Sequence, residues 1–493
     1  MRLDHVDVII VGGGSCGCVV ASRLSEDPAR SVLLLEAGPT FSDVAEVPAA
    51  LTDASMLPIG PGTEWVGTYS AQLTPGIGRM LARGRVLGGS GAVNGGYFVR
   101  ATPADFDVWP QSLWSFEQVL PFYSGSETDL DAGIQKQWHG SSGPMPVTRT
   151  PMHARHPITT AFVDSAVDAG FPMQPDLNAP DAGIRGVGAV PLNVRSGVRV
   201  SAALAYLLPI LDRKNLRVLG NTAVTSLVFD GSTVIGVEII VDGVRSIVKS
   251  DNVIVSAGAV HTPALLLRSG IGPADDLVAL GIPVVVDSPG VGRGFSDHPE
   301  VGVPIVARNE HPATSPALEA VLHADAVEIR PYTRSFDRLI SGLEPGPQLV
   351  GVGLMRSTSR GSIALRSTDP FEAPDVRYHY LESEVDQRMM REGVELARDL
   401  LASPVMSSLV AVPAIEDPLA VLGTSLHLSG SARMGPDADP SSVVDDRCRV
   451  RGVDGLFVVD TSAFPVVPSR GPHATAIMFA ERAAALITGG KLA

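Results

Sequence analysis

Residues 6–11 read VDVIIV and run straight into GGGSCGC. This junction constrains the fold more than any other stretch. A short, mostly apolar, β-branched run suits a buried parallel strand. Gly12, Gly14 and Gly17 stand in G-x-G-x-x-G spacing. A helical pattern follows from about Cys16 to Glu26, closed by Asp27-Pro28, and then SVLLLE reads as a second buried strand ending in Glu36. Gly12 permits the tight turn, Gly14 lets the backbone approach a pyrophosphate, and Gly17 lets helix and strand pack closely. The helix N-terminus offers free N–H groups to the phosphates. Glu36 stands where a carboxylate binds ribose hydroxyls. Strand, helix, strand and acid occur in order, so the expectation is an α/β (α+β overall) protein with a Rossmann-like dinucleotide-binding domain.

Composition narrows the remaining choices. The chain has 493 residues, 45% hydrophobic and 18% charged, enough to bury several cores. A net charge of -15 argues against nucleic acid as a partner. The cysteines are only Cys16, Cys18 and Cys448. That set suits a reducing compartment and buried thiols, and neither a disulfide framework nor a cysteine metal site. No HExxH occurs, and no metal is expected. No apolar run approaches the ~20 residues of a membrane-spanning helix. A cytoplasmic protein is expected, with peripheral membrane contact compatible.

Residues 83–97, RGRVLGGSGAVNGGY, concentrate small residues that let backbone pack against a flat ring system. The alternative for Asn94 is an ordinary turn residue. Residues 215–259 show short apolar runs parted by Gly, Asn and Asp, as consecutive antiparallel strands do. A helix is expected over about Ser383–Leu401 and another over about Ala474–Leu486. The segment 299–350 shows weak periodicity. His427 in SLHLSGSARMG and His473 in SRGPHATAIM stand out among eleven histidines, because each lies among small residues that would admit a ligand.

These stretches, with NVIVSAGAVHTPALLLRSGIGPA at 252–274, PGVGRGFSDHP at 289–299 and GVDGLFVVDTSAFPVVPSRGPHATAIMFAERAAALI at the C-terminal end, resemble the successive motifs of the glucose–methanol–choline (GMC) flavoprotein oxidoreductases. The matches follow family order over nearly the whole chain. The resemblance implies bound FAD, alcohol oxidation, and two domains: a Rossmann-like FAD-binding domain and a sheet-based substrate domain. It implies that 1–150, 195–298 and 445–493 belong to the FAD-binding domain and 151–194 and 299–444 to the substrate domain. His427 and His473 match the family's active-site pair, with His427 taken as base and His473 as partner. Cofactor contacts are implied for Gly12, Gly14, Ser15, Gly17, Glu36, Ala37, Arg83, Val86, Gly89, Ser90, Asn94, Gly95, Val224, Ala257, Asp460, His473 and Ala474. Val224 matches the residue that touches adenine. Asp460 or its backbone is expected at the ribityl chain or pyrophosphate. No histidine occurs between 83 and 100, so FAD is expected to be non-covalent. His298, in SDHP, reads as a structural histidine.

Within the family, VLGGSGAVNGGYFVRATPADFD is most similar to the oxidoreductases encoded with the mycofactocin system. That implies reduced mycofactocin as substrate and a respiratory electron acceptor. The alternatives are an oxygen-using aryl or aliphatic primary alcohol oxidase making hydrogen peroxide, an FAD-containing hydroxynitrile lyase, and a non-catalytic flavin-binding protein.

Overall fold

A computed structural model describes residues 5–131, 137–309, 316–414 and 417–489. The chain begins as expected. β1 (Val8–Val11) and β2 (Val32–Leu35) are buried throughout and flank α1 (Ser15–Leu24). β3 (Leu216–Leu219), β4 (Val253–Val255) and β5 (Leu456–Val458) complete a five-stranded sheet in the order β3-β2-β1-β4-β5. Every pairing in it is parallel. Such a sheet is covered on both faces, which is why its strands lack polar alternation. α1 ends two residues before the predicted Glu26, with Ser25 as its C-cap. Residues 223–249 form the expected antiparallel meander of three strands.

α2 (Gly258–Arg268) departs from expectation. The sequence reads as a small-residue turn followed by a helix over TPALLLRSG, 262–270, which puts Pro263 in the first turn. The structure begins it at Gly258, whose N–H donates to Asp460 Oδ2 at 2.9 Å, and keeps Pro263 inside. A side chain 202 residues away caps the helix and sets its start.

The weakly periodic segment 299–350 builds a second, mainly antiparallel sheet. Its centre pairs Pro299–Ala307, Gln348–Leu354, Val327–Pro331, Ala320–Ala324 and Arg185–Ala189 in that order. Most of these strands are buried on both faces, so they show little alternation. α3 (Glu384–Leu401) starts one residue after Ser383, whose hydroxyl accepts from Val385 N–H at 3.2 Å. Its buried Met390, Val394, Ala397 and Leu401 recur at helical spacing and join this sheet's core. Gly393 lets α3 lie close: a Cβ there would stand 3.0 Å from Val327 and Val352 side-chain carbons.

A third sheet mixes segments assigned to different domains. Val66–Thr74 and Ile77–Gly84 pair with each other, and Val66–Thr74 also pairs in parallel with Asp375–Arg377. α4 (His473–Thr488) is buried along most of its length and so apolar nearly all round. It begins one residue before the expected Ala474, which makes His473 its first residue. Among the described residues, no helix is long and apolar enough to cross a membrane.

Candidate active site

The N-terminal loop is shaped for a phosphate-bearing ligand. Gly12 has φ +100°, and a Cβ there would stand 2.5 Å from the Ser256 carbonyl oxygen. At Gly17 a Cβ would meet the Gly12 carbonyl at 1.9 Å, so only glycine lets α1 close on β1. Gly14 is different. A Cβ there would meet no other group nearer than 3.9 Å, and the space beside it stays open at the N-terminus of α1. This combination suits a pyrophosphate held by free amides. Glu36 Oε2 accepts from Gly13 N–H and Oε1 from Gly38 N–H, each at 2.8 Å. Burial raises its carboxyl above the usual range. Each oxygen keeps a second lone pair, so the side chain can hold the loop and still accept from ribose hydroxyls. Ala37 follows at the mouth of the same turn.

The glycine-rich segment lies on this loop. A Cβ on Gly89 would stand 2.7 Å from Gly14 Cα, and one on Gly91 would stand 2.5 Å from Ser15 Oγ and 2.8 Å from His473 Nε2. Ser15, Gly91 and His473 therefore converge. Ser90 Oγ accepts from Gly84 N–H at 3.1 Å, so this hydroxyl braces the loop. Gly95 follows Asn94 into the turn, Val224 is the second residue of the strand Ala223–Asp230, Ala257 precedes α2, and Ala474 is buried in the first turn of α4.

Three expected cofactor residues use their side chains otherwise. The Arg83 guanidinium donates to the Leu426 carbonyl and stands 4.0 Å from Asp297. Val86 is fully buried in an apolar cluster with Leu51, Ala92 and Val93. Asp460 Oδ2 accepts from Gly258 N–H and Thr262 Oγ1, while Oδ1 accepts from Ser462 N–H. A ligand contact at Val86 or Asp460 would run through backbone, because a chain that must close its own helix and core spends these side chains internally.

His473 and His427 approach each other through Gly471. A Cβ on that glycine would stand 3.5 Å from His427 Cε1 and 2.8 Å from Tyr97 Cδ1, two residues before His473. Asn94 fixes the His473 ring. Its Oδ1 accepts from Gly96 N–H at 2.9 Å, which turns Nδ2 toward His473 Nδ1 at 3.2 Å. The amide nitrogen has only hydrogens to offer, so Nδ1 accepts and the neutral ring carries its proton on Nε2. Nε2 is buried without a partner. Burial lowers the His473 pKa to about 4, so the ring is neutral near pH 7. Phe98 packs edge-on against it, with centroids 5.4 Å apart. Asn94 is thus more than a turn residue.

His427 is aimed by strained backbone. Leu426 has φ +62°, a conformation costing about 1–3 kcal/mol for such a residue. Arg83 on its carbonyl and Thr424 Oγ1 on its N–H, at 3.3 Å, hold it there. Asp297 Oδ1 accepts from both His298 N–H, at 2.6 Å, and His427 N–H, at 2.7 Å. His427 Nδ1 lies 2.9 Å from His298 Nδ1, with the rings edge-to-face. Burial, then His298 and Arg330, hold the His427 pKa well below the ordinary 6.5.

Sequence reasoning missed the company that His427 keeps. His298 lies 129 residues earlier, and SDHP was the one signal pointing to it. Also unforeseen is the buried network behind Tyr97. The Tyr97 hydroxyl donates to Glu328 Oε2 at 2.8 Å, and Arg330 bridges Glu328 and Glu300 at 2.7 and 2.5 Å.

A dinucleotide cradle with the half-buried, neutral imidazole of His473 beside it and that of His427 near Gly471 fits a class, the flavin-dependent oxidoreductases acting on CH–OH groups. The chain belongs to the GMC oxidoreductase family. Two family models, both described as GMC oxidoreductase, match residues 6–300 and 357–480. An uncharacterized GMC-type oxidoreductase of Rhodococcus erythropolis is 48% identical over 492 residues, covering 99% of each chain. The oxygen-dependent choline dehydrogenase of Staphylococcus haemolyticus is 35% identical, covering 99% of this chain and 94% of that protein. The crystal structure of pyridoxine 4-oxidase from Mesorbium loti superposes with a TM-score of 0.90 at 28% identity, covering 99% and 100%. FAD is accordingly the cofactor, and the open cradle at Gly14 fits its pyrophosphate.

Proposed function

We propose that this enzyme is a dehydrogenase in which His427 Nε2 removes the hydroxyl proton of an alcohol and His473 Nε2–H donates to the same oxygen. The carrying observation is the Asn94–His473 contact, which leaves a buried N–H unpartnered beside the position of His427. FAD, when bound, supplies the acceptor for the hydride that leaves the carbinol carbon. The residues do the rest. A neutral imidazole accepts a proton, and a preorganised donor in a dry site stabilises developing alkoxide charge. The absence of histidine at 83–100 supports FAD held without a covalent bond. The division into FAD and substrate domains is supported by the separate parallel and mainly antiparallel sheets, with a third sheet joining the two by pairing Val66–Thr74 with Asp375–Arg377.

The substrate we favour is reduced mycofactocin, with electrons passing to a respiratory acceptor. Its support is the likeness of residues 86–107 to that branch. An oxygen-using alcohol oxidase is the second reading, favoured by the oxidase and oxygen-dependent enzymes among the similar proteins. Anaerobic mixing with mycofactocinol and a panel of alcohols, followed by oxygen, separates the two. Fast flavin bleaching by mycofactocinol with slow reoxidation by oxygen supports the first. Bleaching by simple alcohols with reoxidation as fast as by a quinone-like dye replaces it with the second. No bleaching by any alcohol would leave lyase or binding roles.

A further inference from the structure

We infer that His298 is a positioning residue that holds His427 in the tautomer with its proton on Nδ1 and a bare lone pair on Nε2. The inference rests on the proposed role of His427 as base and adds the reason why that ring, and that nitrogen, can act.

Two ring nitrogens 2.9 Å apart must share a single proton, because two N–H groups would clash and two lone pairs would repel. The question is which ring supplies it. His298 is fully buried, and the Pro468 carbonyl lies beside its ring and favours a proton there. Nδ1 already faces His427, so Pro468 acts on Nε2. That nitrogen makes no well-formed hydrogen bond, yet a carbonyl is its neighbour, and a bare lone pair would oppose the carbonyl oxygen. His298 therefore carries its proton on Nε2 and accepts at Nδ1. His427 must donate from Nδ1, which strips Nε2.

Asp297 supports this by clamping both backbones with one carboxylate oxygen. The charged groups around the two rings are Arg330, Glu328, Arg83 and Arg470. When His427 takes a proton, the contact to His298 becomes charge-assisted and strengthens, so His298 stabilises the imidazolium as it forms. Orienting partners of functional imidazoles are typically worth about 10–100-fold in activity.

The test uses the holoenzyme with two variants and one measurement on the unaltered chain. Asparagine can place its Oδ1 where His298 Nδ1 stands, so His298→Asn keeps an acceptor and His298→Leu removes it. Anaerobic flavin reduction should slow roughly 10- to 100-fold in His298→Leu, with unchanged substrate affinity and an altered acid limb of the pH profile. His298→Asn should stay within about tenfold of the parent, with the parent's limb. Equal loss in both variants with one shared pH profile would assign His298 a merely structural role and overturn the inference. In case the variants fold poorly, imidazole nitrogen NMR of the unaltered protein reads the tautomer directly. A protonated Nδ1 and bare Nε2 on His427 supports the inference. The reverse, or two bare Nδ1 atoms sharing a metal ion, sinks it. Failure of His427→Ala to slow reduction would instead sink the assignment of the base and leave the tautomer result standing.

Discussion

The active-site histidines and His139 sit in two contrasting settings, and they behave in opposite ways. At the active site, His298 meets His427 ring to ring, with Arg330, Arg83 and Glu328 nearby, while His473 meets Asn94 and the edge of Phe98. Burial drives His298 to about pKa 3 and His473 to about 4. Elsewhere, His139 sits between Glu127, Asp129 and Asp176, at 2.8, 3.1 and 2.7 Å. Burial opposes its charge too, but the Asp176 and Glu127 hydrogen bonds outweigh it and raise the pKa to about 9. Arg149 and Arg100 balance the remaining carboxylate charge. The same side chain is thus a base in waiting in one place and a fixed cation in the other. The partners decide, since desolvation alone always favours the neutral ring. The imidazole proposed to accept a proton, His427, is kept neutral by burial and by the nearby His298, Arg330 and Arg83. One that must hold a loop together needs carboxylates.

Cutting each cluster separately sharpens this contrast. The largest effect should come from His427→Ala, which should slow anaerobic flavin reduction about 100- to 10,000-fold while FAD stays bound. Stopped-flow absorbance checks the rate and the visible spectrum checks the flavin. A wild-type rate would transfer the base to His473. Next comes His473→Ala, also slow, with the double variant little worse than the more damaging single, because residues acting as a unit are non-additive. His473→Asn should be milder than His473→Ala, since an amide N–H can replace the lost donor. By contrast, His139→Phe should leave the rate of flavin reduction unchanged and lower the unfolding midpoint in denaturant, because it strands buried carboxylates. A slowed reduction in that variant would break the comparison.

The smallest effects lie in pH. Reduction should fall as pH drops through the His427 pKa, which lies below 6.5, because only the neutral ring accepts a proton. Stability should respond to both clusters. A lowered folded pKa means the unfolded chain takes up protons first, so the active-site histidines cost stability as pH falls from 6.5 toward 3–4. A raised folded pKa means the reverse. His139 contributes stability below 6.5 that is lost as pH rises toward 9. Denaturant midpoints measured across pH should therefore peak near 6.5, and His139→Phe should flatten the alkaline side alone.

The cradle was legible because its rule is local. Gly12, Gly14 and Gly17 are constrained by the turn they themselves make, and β1, α1, β2 and Glu36 follow within 30 residues. The two histidines stood out by their small-residue settings, but their joint role was legible only through the resemblance, for no spacing on the chain sets His427 beside His473. The segment 299–350 hid its strands because burial on both faces erases alternation. α2 hid its start because its cap, Asp460, comes from the far end of the chain.

By itself, then, the sequence pointed to a dinucleotide-binding unit at β1 and α1, to His427 and His473 as groups that could do chemistry, and to no charge or cysteine pattern favouring another class. Tertiary structure alone decided the protonation of His139, His298, His427 and His473. A pKa depends on what lies within a few ångströms in space, and those neighbours arrive from 12 residues away at His139 and Glu127, 129 at His427 and His298, and 379 at His473 and Asn94. The residue types were written along the chain, but which nitrogen holds the proton was written only when folding brought their partners together.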